Sequence, residues 1–286
     1  MSSINTNLSA MTALQALKAT QTAMNKNQSQ ISTGLRVGEA SHNASYWSIA
    51  TQMKSDNGAL SAVKDSIGQS KAMINTFTSA MDKSLTYLNK MKAGLVAASQ
   101  PGADLAKIQE EFKANIEGMK SAAASASFNG QNWLSGAAGT VSLVTSYDGV
   151  NNKVGTLSIS TADTILFTDP TTPAAGAGLL GAVGIIDISA ADAAALAAAL
   201  VTVDTAISAV TKGSSMLGAN KALLETQEEF IGVLSDSLSA GVSSFIDADM
   251  NEASTRNQAL QTQQQLGVQA LSMANQNSQM ILKLFQ

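Results

Sequence analysis

The chain has 286 residues, of which 13% are charged, 45% hydrophobic and only 4% aromatic, with a formal net charge of -4. It has no cysteine and one histidine, His42. That excludes disulfides, thiolate chemistry, cysteine-ligated metals and any two-histidine ligand set, and the acidic balance with scattered lysines argues against a nucleic-acid partner.

The first residues, Met1 to Asn7, lack a basic region followed by an apolar stretch. They do not read as a cleavable secretory signal. A helical stripe follows at Ala10, Leu14, Leu17, Gln21, Met24, Gln28, Ile31 and Leu35, closed by Gly34 and Gly38. Before Arg36 the only charges are Lys18 and Lys26.

Stepping by alternating four and three from Ile49 gives Met53, Asp56, Leu60, Val63, Ile67, Ser70, Ile74, Phe77, Met81, Ser84, Leu88, Met91 and Leu95. Most are apolar, and no proline interrupts them. Such a run predicts a long coiled-coil-like helix, stopped by Pro101-Gly102. A shorter helix is predicted from Leu105, Ile108, Phe112, Ile116, Met119 and Ala123.

The middle changes character. Residues 140–147 and 156–160 alternate around a turn or loop that runs from Asp148-Gly149 through Gly155, and Thr164 to Phe167 forms a third apolar run. These predict a hairpin plus one strand. Residues 168–188 hold Pro170, Pro173 and four glycines, and read as a loop-rich insertion. Residues 174–203 are the most apolar stretch, but glycines and aspartates break them up. No run reaches the roughly 18–20 residues of a membrane span, so no membrane partner is expected.

Ser189 with Asp192 three residues later looks like a capping box. A second long stripe follows at Leu196, Leu200, Val203, Ile207, Val210, Ser214, Leu217, Lys221, Leu224, Glu228, Ile231, Ser235, Leu238, Val242 and Phe245. Two matched stripes far apart in sequence each leave an apolar seam in water unless they pair. The predicted fold class is therefore mainly α: an elongated antiparallel helical bundle or coiled coil with paired terminal helices and a small β-rich, loop-containing middle insertion. After Val242 the seam continues in a new frame, Ile246, Met250, Ala253, Asn257, Leu260, Gln264, Gly267, Leu271, Ala274, Ser278, Ile281 and Phe285, a stutter that sets a boundary near residue 245. The expected domains are 1–45 plus 246–286, 46–139 plus 189–245, and 140–188.

No constellation of residues supports catalysis. There is no phosphate loop, nucleophile elbow or metal helix motif. Glu110-Glu111 and Glu228-Glu229 are sequence neighbours that diverge around a helix, His42 reads as a loop histidine, and Asp247 and Asp249 read as exposed or salt-bridged. No enzyme activity, cofactor or metal is expected. Between Arg256 and Lys283 there is no charged residue. Small and amide side chains in place of the usual flanking charges suit helices that meet protein on several faces.

Several motifs resemble bacterial flagellin. They are Ile4 to Leu14, then Ile31-Ser32-Thr33-Gly34-Leu35-Arg36-Val37, then Ser127-Phe128-Asn129-Gly130 with Leu134-Ser135-Gly136. At the other end are Ile246-Asp247-Ala248-Asp249-Met250 and the run from Gln269 to Phe285. The resemblance covers roughly residues 1–136 and 190–286. After Arg36 the chain departs from the family's usual stretch and carries Tyr46 and Trp47. Leu88 to Gly94 also departs from the patch that an innate immune receptor reads in many flagellins.

The resemblance implies a subunit that leaves the cell through the flagellar type III apparatus and polymerises into the extracellular, helical flagellar filament. It implies as partners further copies of itself, other flagellins, the export apparatus and an export chaperone, and the hook-associated junction and cap proteins. The subunit interface is expected at Leu8, Met11, Leu14, Leu17, Met24, Ile31, Leu35, Ile246, Met250, Leu260, Leu271, Ile281 and Phe285. A hook–filament junction protein and a secreted helical effector or translocator are the alternative readings.

Overall fold

The structure, a computed structural model, describes residues 6–149, 151, 153–169 and 178–284. Five helices and one two-stranded sheet are the regular elements among them: α1 (Leu8–Thr33), α2 (Ala44–Ala98), α3 (Leu105–Ser125), β1 (Thr140–Asp148), β2 (Lys153–Ser160), α4 (Ala193–Ile246) and α5 (Met250–Leu284). The chain divides into two compact units, residues 1–57 with 236–286 and residues 58–235. Compactness thus draws its boundary inside α2 and α4, while the breaks between helices lie at 34–43 and 247–249, next to the sequence-based boundaries.

In the unit of residues 58–235, the stripe read from sequence is the core. Every position of it from Leu60 to Leu95 is buried, including Ser70 and Ser84. Each serine hydroxyl donates to the carbonyl one turn earlier, Ser66 and Ala80, and is satisfied without leaving the seam. Opposite run Leu196, Val203, Val210, Leu217, Leu224 and Ile231 of α4, all buried. Lys71 pairs with Glu228 and Lys92 with Asp204, each at 2.6 Å, so α2 ascends as α4 descends. The third helix, α3, buries Phe112, Ile116, Met119 and Ala123. Asp104 caps it by accepting from the Lys107 N–H.

One 18-residue stretch of α4 has a mean hydropathy of 1.9, which by length and composition suffices to cross a membrane. This corrects the expectation that no segment is apolar enough. Alanine raises the mean while contributing little bulk, and the glycines before residue 193 lie outside the helix. The cap expected from Ser189 is also corrected. Asp192 accepts from the Ala195 N–H, whereas Ser189 donates through both its N–H and its Oγ to Asp187.

The hairpin forms, with its second strand starting at Lys153, inside the stretch expected to be loop. β1 and β2 are antiparallel, with an irregularity between Val144 and Ser146 that leaves Thr145 without a partner in register. The third strand does not form. Residues 161–163 make a single 3-10 turn, and Ser135 and Phe167 meet in an isolated parallel bridge. Ile165, Leu166 and Phe167 are buried nonetheless. Their backbone is tied by scattered bonds, from Leu166 N and Phe167 N to Leu134 O, from Gly136 N to Phe167 O, and from Leu179 N and Leu180 N to Ile165 O and Leu166 O. The loop comes close enough to α4 that a side chain at Gly213 would collide with the Asp163 carbonyl. Of the loop-rich insertion, residues 178–188 make turns and a second 3-10 helix and bury Leu180, Val183 and Ile188. Pro170 and Pro173 lie outside the described residues.

Candidate assembly surface

The unit of residues 1–57 with 236–286 is built on α1 and α5. Asn7 accepts at Oδ1 from the Ala10 N–H, capping α1, and donates through Nδ2 to the Ala274 carbonyl at 2.9 Å. At the other end of α1, the Asn27 amide donates to the Ala253 carbonyl. Between them Gln264 donates to Gln21, and Gly267 lets Leu17 approach closely. These contacts run in opposite directions along the two helices, which are therefore antiparallel.

The Ile31–Val37 motif supplies the turn that ends α1. Gly34 takes the left-handed conformation with φ 71° and donates its N–H to the Gln30 carbonyl, a helix C-terminus that favours glycine. Leu35 then bridges Asp247, and the N–H groups of Arg36 and Val37 both donate to the Ile246 carbonyl. The Arg36 guanidinium donates to the Phe245 carbonyl at 3.0 Å, placing a cation at the C-terminal end of α4. Behind this junction Val37, Ala50, Val242 and Ile246 form a small core with Leu35, Met53 and Phe245 against it. Tyr46 stacks on Phe245 with ring centroids 5.6 Å apart. Asp249 starts α5 by accepting from the N–H groups of Asn251 and Glu252, and Asp247 accepts from the Ser243 hydroxyl.

The expected interface residues divide by exposure. Leu8 and Met11 are 76% and 61% exposed, and Leu14 and Met250 are also exposed. Leu17, Met24, Ile31, Leu35 and Leu271 are half-buried. Ile246 and Leu260 are buried within the chain itself. The Ile281 side chain and Phe285 lie outside the described residues.

Sequence reasoning missed a second apolar stripe on α5, Leu266, Met273 and Met280, all exposed. Its signal is the exact heptad spacing of these three, one residue ahead of the seam that was followed. In the other unit, α4 likewise exposes Val201, Leu223, Phe230 and Val233. Exposed apolar stripes of this kind mark protein contact surfaces.

The arrangement offers contact but little chemistry. Among the described residues no group of three or more histidine, cysteine, aspartate or glutamate side chains could hold a metal. His42 is exposed, and its Nδ1 accepts from the Gly38 N–H. Glu110 pairs with Lys113. Lys71 and Asp187 have shifted acidity. The hydrogen bond to Glu228 raises the Lys71 pKa above the ordinary lysine value, against the opposing effect of desolvation. The Ser189 N–H, followed by its hydroxyl, lowers that of Asp187. Both are ion-pair or hydrogen-bonding effects.

Comparison with known proteins agrees with this geometry. The family model described as the bacterial flagellin N-terminal helical region matches residues 4–139, and that of the bacterial flagellin C-terminal helical region matches residues 200–285. Flagellin C of Rhizobium meliloti (strain 1021) is 44% identical over an alignment covering 100% of both chains. A flagellin of Brucella melitensis biotype 1 is 43% identical, covering 100% of this chain and 99% of its own. Flagellin A of Rhizobium meliloti is 35% identical with 100% of both chains covered.

Proposed function

The chain belongs to the bacterial flagellin family, a structural subunit of the extracellular flagellar filament and not an enzyme, and we propose that it polymerises through the exposed apolar faces of α1 and α5. The observation that carries this reading is the coexistence of two stripes on the same helices. One holds α1 to α5 inside the chain, and the other, at Leu8, Met11, Leu14, Leu266, Met273 and Met280, is left in water. Burial of apolar surface at about 25 cal/mol per Å² makes such a face strongly association-competent. Subunits joined through different patches form an open helix and not a closed ring.

The terminal helices are poor in charge and bury few residues of their own. Their stability therefore depends on neighbouring copies, and they consolidate as the filament grows. Export through the flagellar type III apparatus with a chaperone, and contact with junction and cap proteins at the filament ends, complete the proposal. Junction-protein and effector readings have no observation in their favour. Seeding the purified full-length chain with filament fragments tests the proposal. Sedimenting helical filaments, visible by negative-stain microscopy, are expected, and a chain that stays monomeric at high concentration with seeds present would overturn it.

A further inference from the structure

Asparagine is followed by glycine twice in the chain, at Asn57-Gly58 and Asn129-Gly130. Such a pair is prone to an intramolecular reaction, because a following residue without a Cβ lets its amide nitrogen reach the asparagine side-chain carbon. The structure treats the two pairs differently. Asn57 lies within α2, where the Gly58 N–H belongs to the helical ladder, and its Nδ2 donates to the Ser239 hydroxyl at 2.8 Å. Asn129 and Gly130 are instead the two central residues of a tight turn, with φ of 51° and 75°. Phe128 and Gln131 close it by exchanging N–H to carbonyl bonds of 2.9 and 3.0 Å. Positive φ at both central positions defines a type I′ turn. Both residues are exposed.

We propose that Asn129 is a site of spontaneous deamidation and isoaspartate formation in the folded chain, and that Asn57 is protected. The Gly130 nitrogen gives its proton to solvent base and attacks Cγ of Asn129. A carbon–nitrogen bond forms, the side-chain carbon–nitrogen bond breaks, and the amide nitrogen leaves as ammonia. Water then adds to one of the two carbonyls of the resulting succinimide, that carbon's bond to the ring nitrogen breaks as the nitrogen takes up a proton, and aspartate or isoaspartate results, with no oxidant or reductant taking part.

The consequences follow from the position. The turn lies four residues beyond the end of α3, whose Ala123 carbonyl is capped by the Asn132 amide at 2.7 Å. A new carboxylate beside a helix C-terminus is unfavourable. Isoaspartate also lengthens the backbone just ahead of Trp133, which stacks on Phe77 with centroids 4.7 Å apart. The modification therefore strikes at a support of the core. This inference does not depend on the assembly surface.

The test is peptide mapping by mass spectrometry, with isoaspartate detection, of the full-length monomer held at mildly alkaline pH with and without denaturant. In the native chain Asn129 is expected to convert at least ~10-fold faster than Asn57, as the difference between an exposed turn and a helical segment requires. In denaturant the two should convert at similar rates. Equal native rates, faster conversion at Asn57, or conversion of Asn129 only in denaturant would overturn the proposal.

Discussion

The side-chain amide of Asn27 donates a 2.8 Å hydrogen bond to the carbonyl of Ala253, tying α1 to α5 across 226 positions of sequence. Asn27 is only 2% exposed, and its Oδ1 has no partner among the described residues. A buried polar group of this kind tends to fix the register of a helix pair at the expense of stability. Asn27→Asp is expected to place a charge beside a carbonyl in a desolvated seam, a loss of several (~3) kcal/mol. Circular dichroism should show loss of helix in α1 and α5 at neutral pH. Asn27→Leu removes the orphaned oxygen along with the donor and should be close to neutral in thermal unfolding.

The junction at the end of α1 gives a second expectation. Gly34→Ala forces a Cβ into the left-handed region at a loss of about 1 kcal/mol. Arg36→Ala removes the guanidinium from the Phe245 carbonyl, a further ~1 kcal/mol. Both losses should appear as faster hydrogen exchange at residues 34–37 and 246–248, with the amides of α3 unaffected.

These residues also show where the sequence was legible. The α2 stripe from Leu60 to Leu95 matched the core position for position, since there apolar spacing has one job. In α1 the same reasoning chose Leu14, Gln21 and Gln28, whereas the less exposed positions are Ala13, Thr20 and Asn27. Large apolar residues of an assembling subunit are also needed on its outer face, so apolarity alone does not mark the inner one. Ile49 fails for the same reason, being exposed at the start of α2. The run Thr164 to Phe167 has the sequence of a strand and the structure of a packed loop, because a short buried apolar run looks alike in both. Motif glycines and asparagines proved easier to interpret once their backbone angles were known. Gly34 ends a helix, and Asn129-Gly130 makes a turn.

A third expectation concerns the core. Phe77 is fully buried and stacked on Trp133. Phe77→Ala should destabilise the unit of residues 58–235 by about 3–5 kcal/mol. In a Trp47→Phe background, where Trp133 is the only tryptophan, its emission should shift to the red.

Stability should also depend on pH at both extremes. The folded Lys71 pKa is raised, so its contribution is fully present below the ordinary lysine value and is lost as pH climbs through the folded value. Lys71→Met should flatten the alkaline limb of the stability curve. The folded Asp187 pKa is lowered, so its contribution is present above the ordinary aspartate value and is lost as pH falls through the folded one. Asp187→Asn should change only the acid limb, as read by thermal unfolding across the pH range.

Since the chain has no cysteine of its own, one introduced thiol reports cleanly on a chosen position. The most direct measurement is the labelling rate of Met273→Cys in the monomer and in assembled filaments. If neighbouring copies cover this face, the thiol reacts quickly in the monomer and is strongly protected in the filament. Equal labelling in the two states would contradict the account.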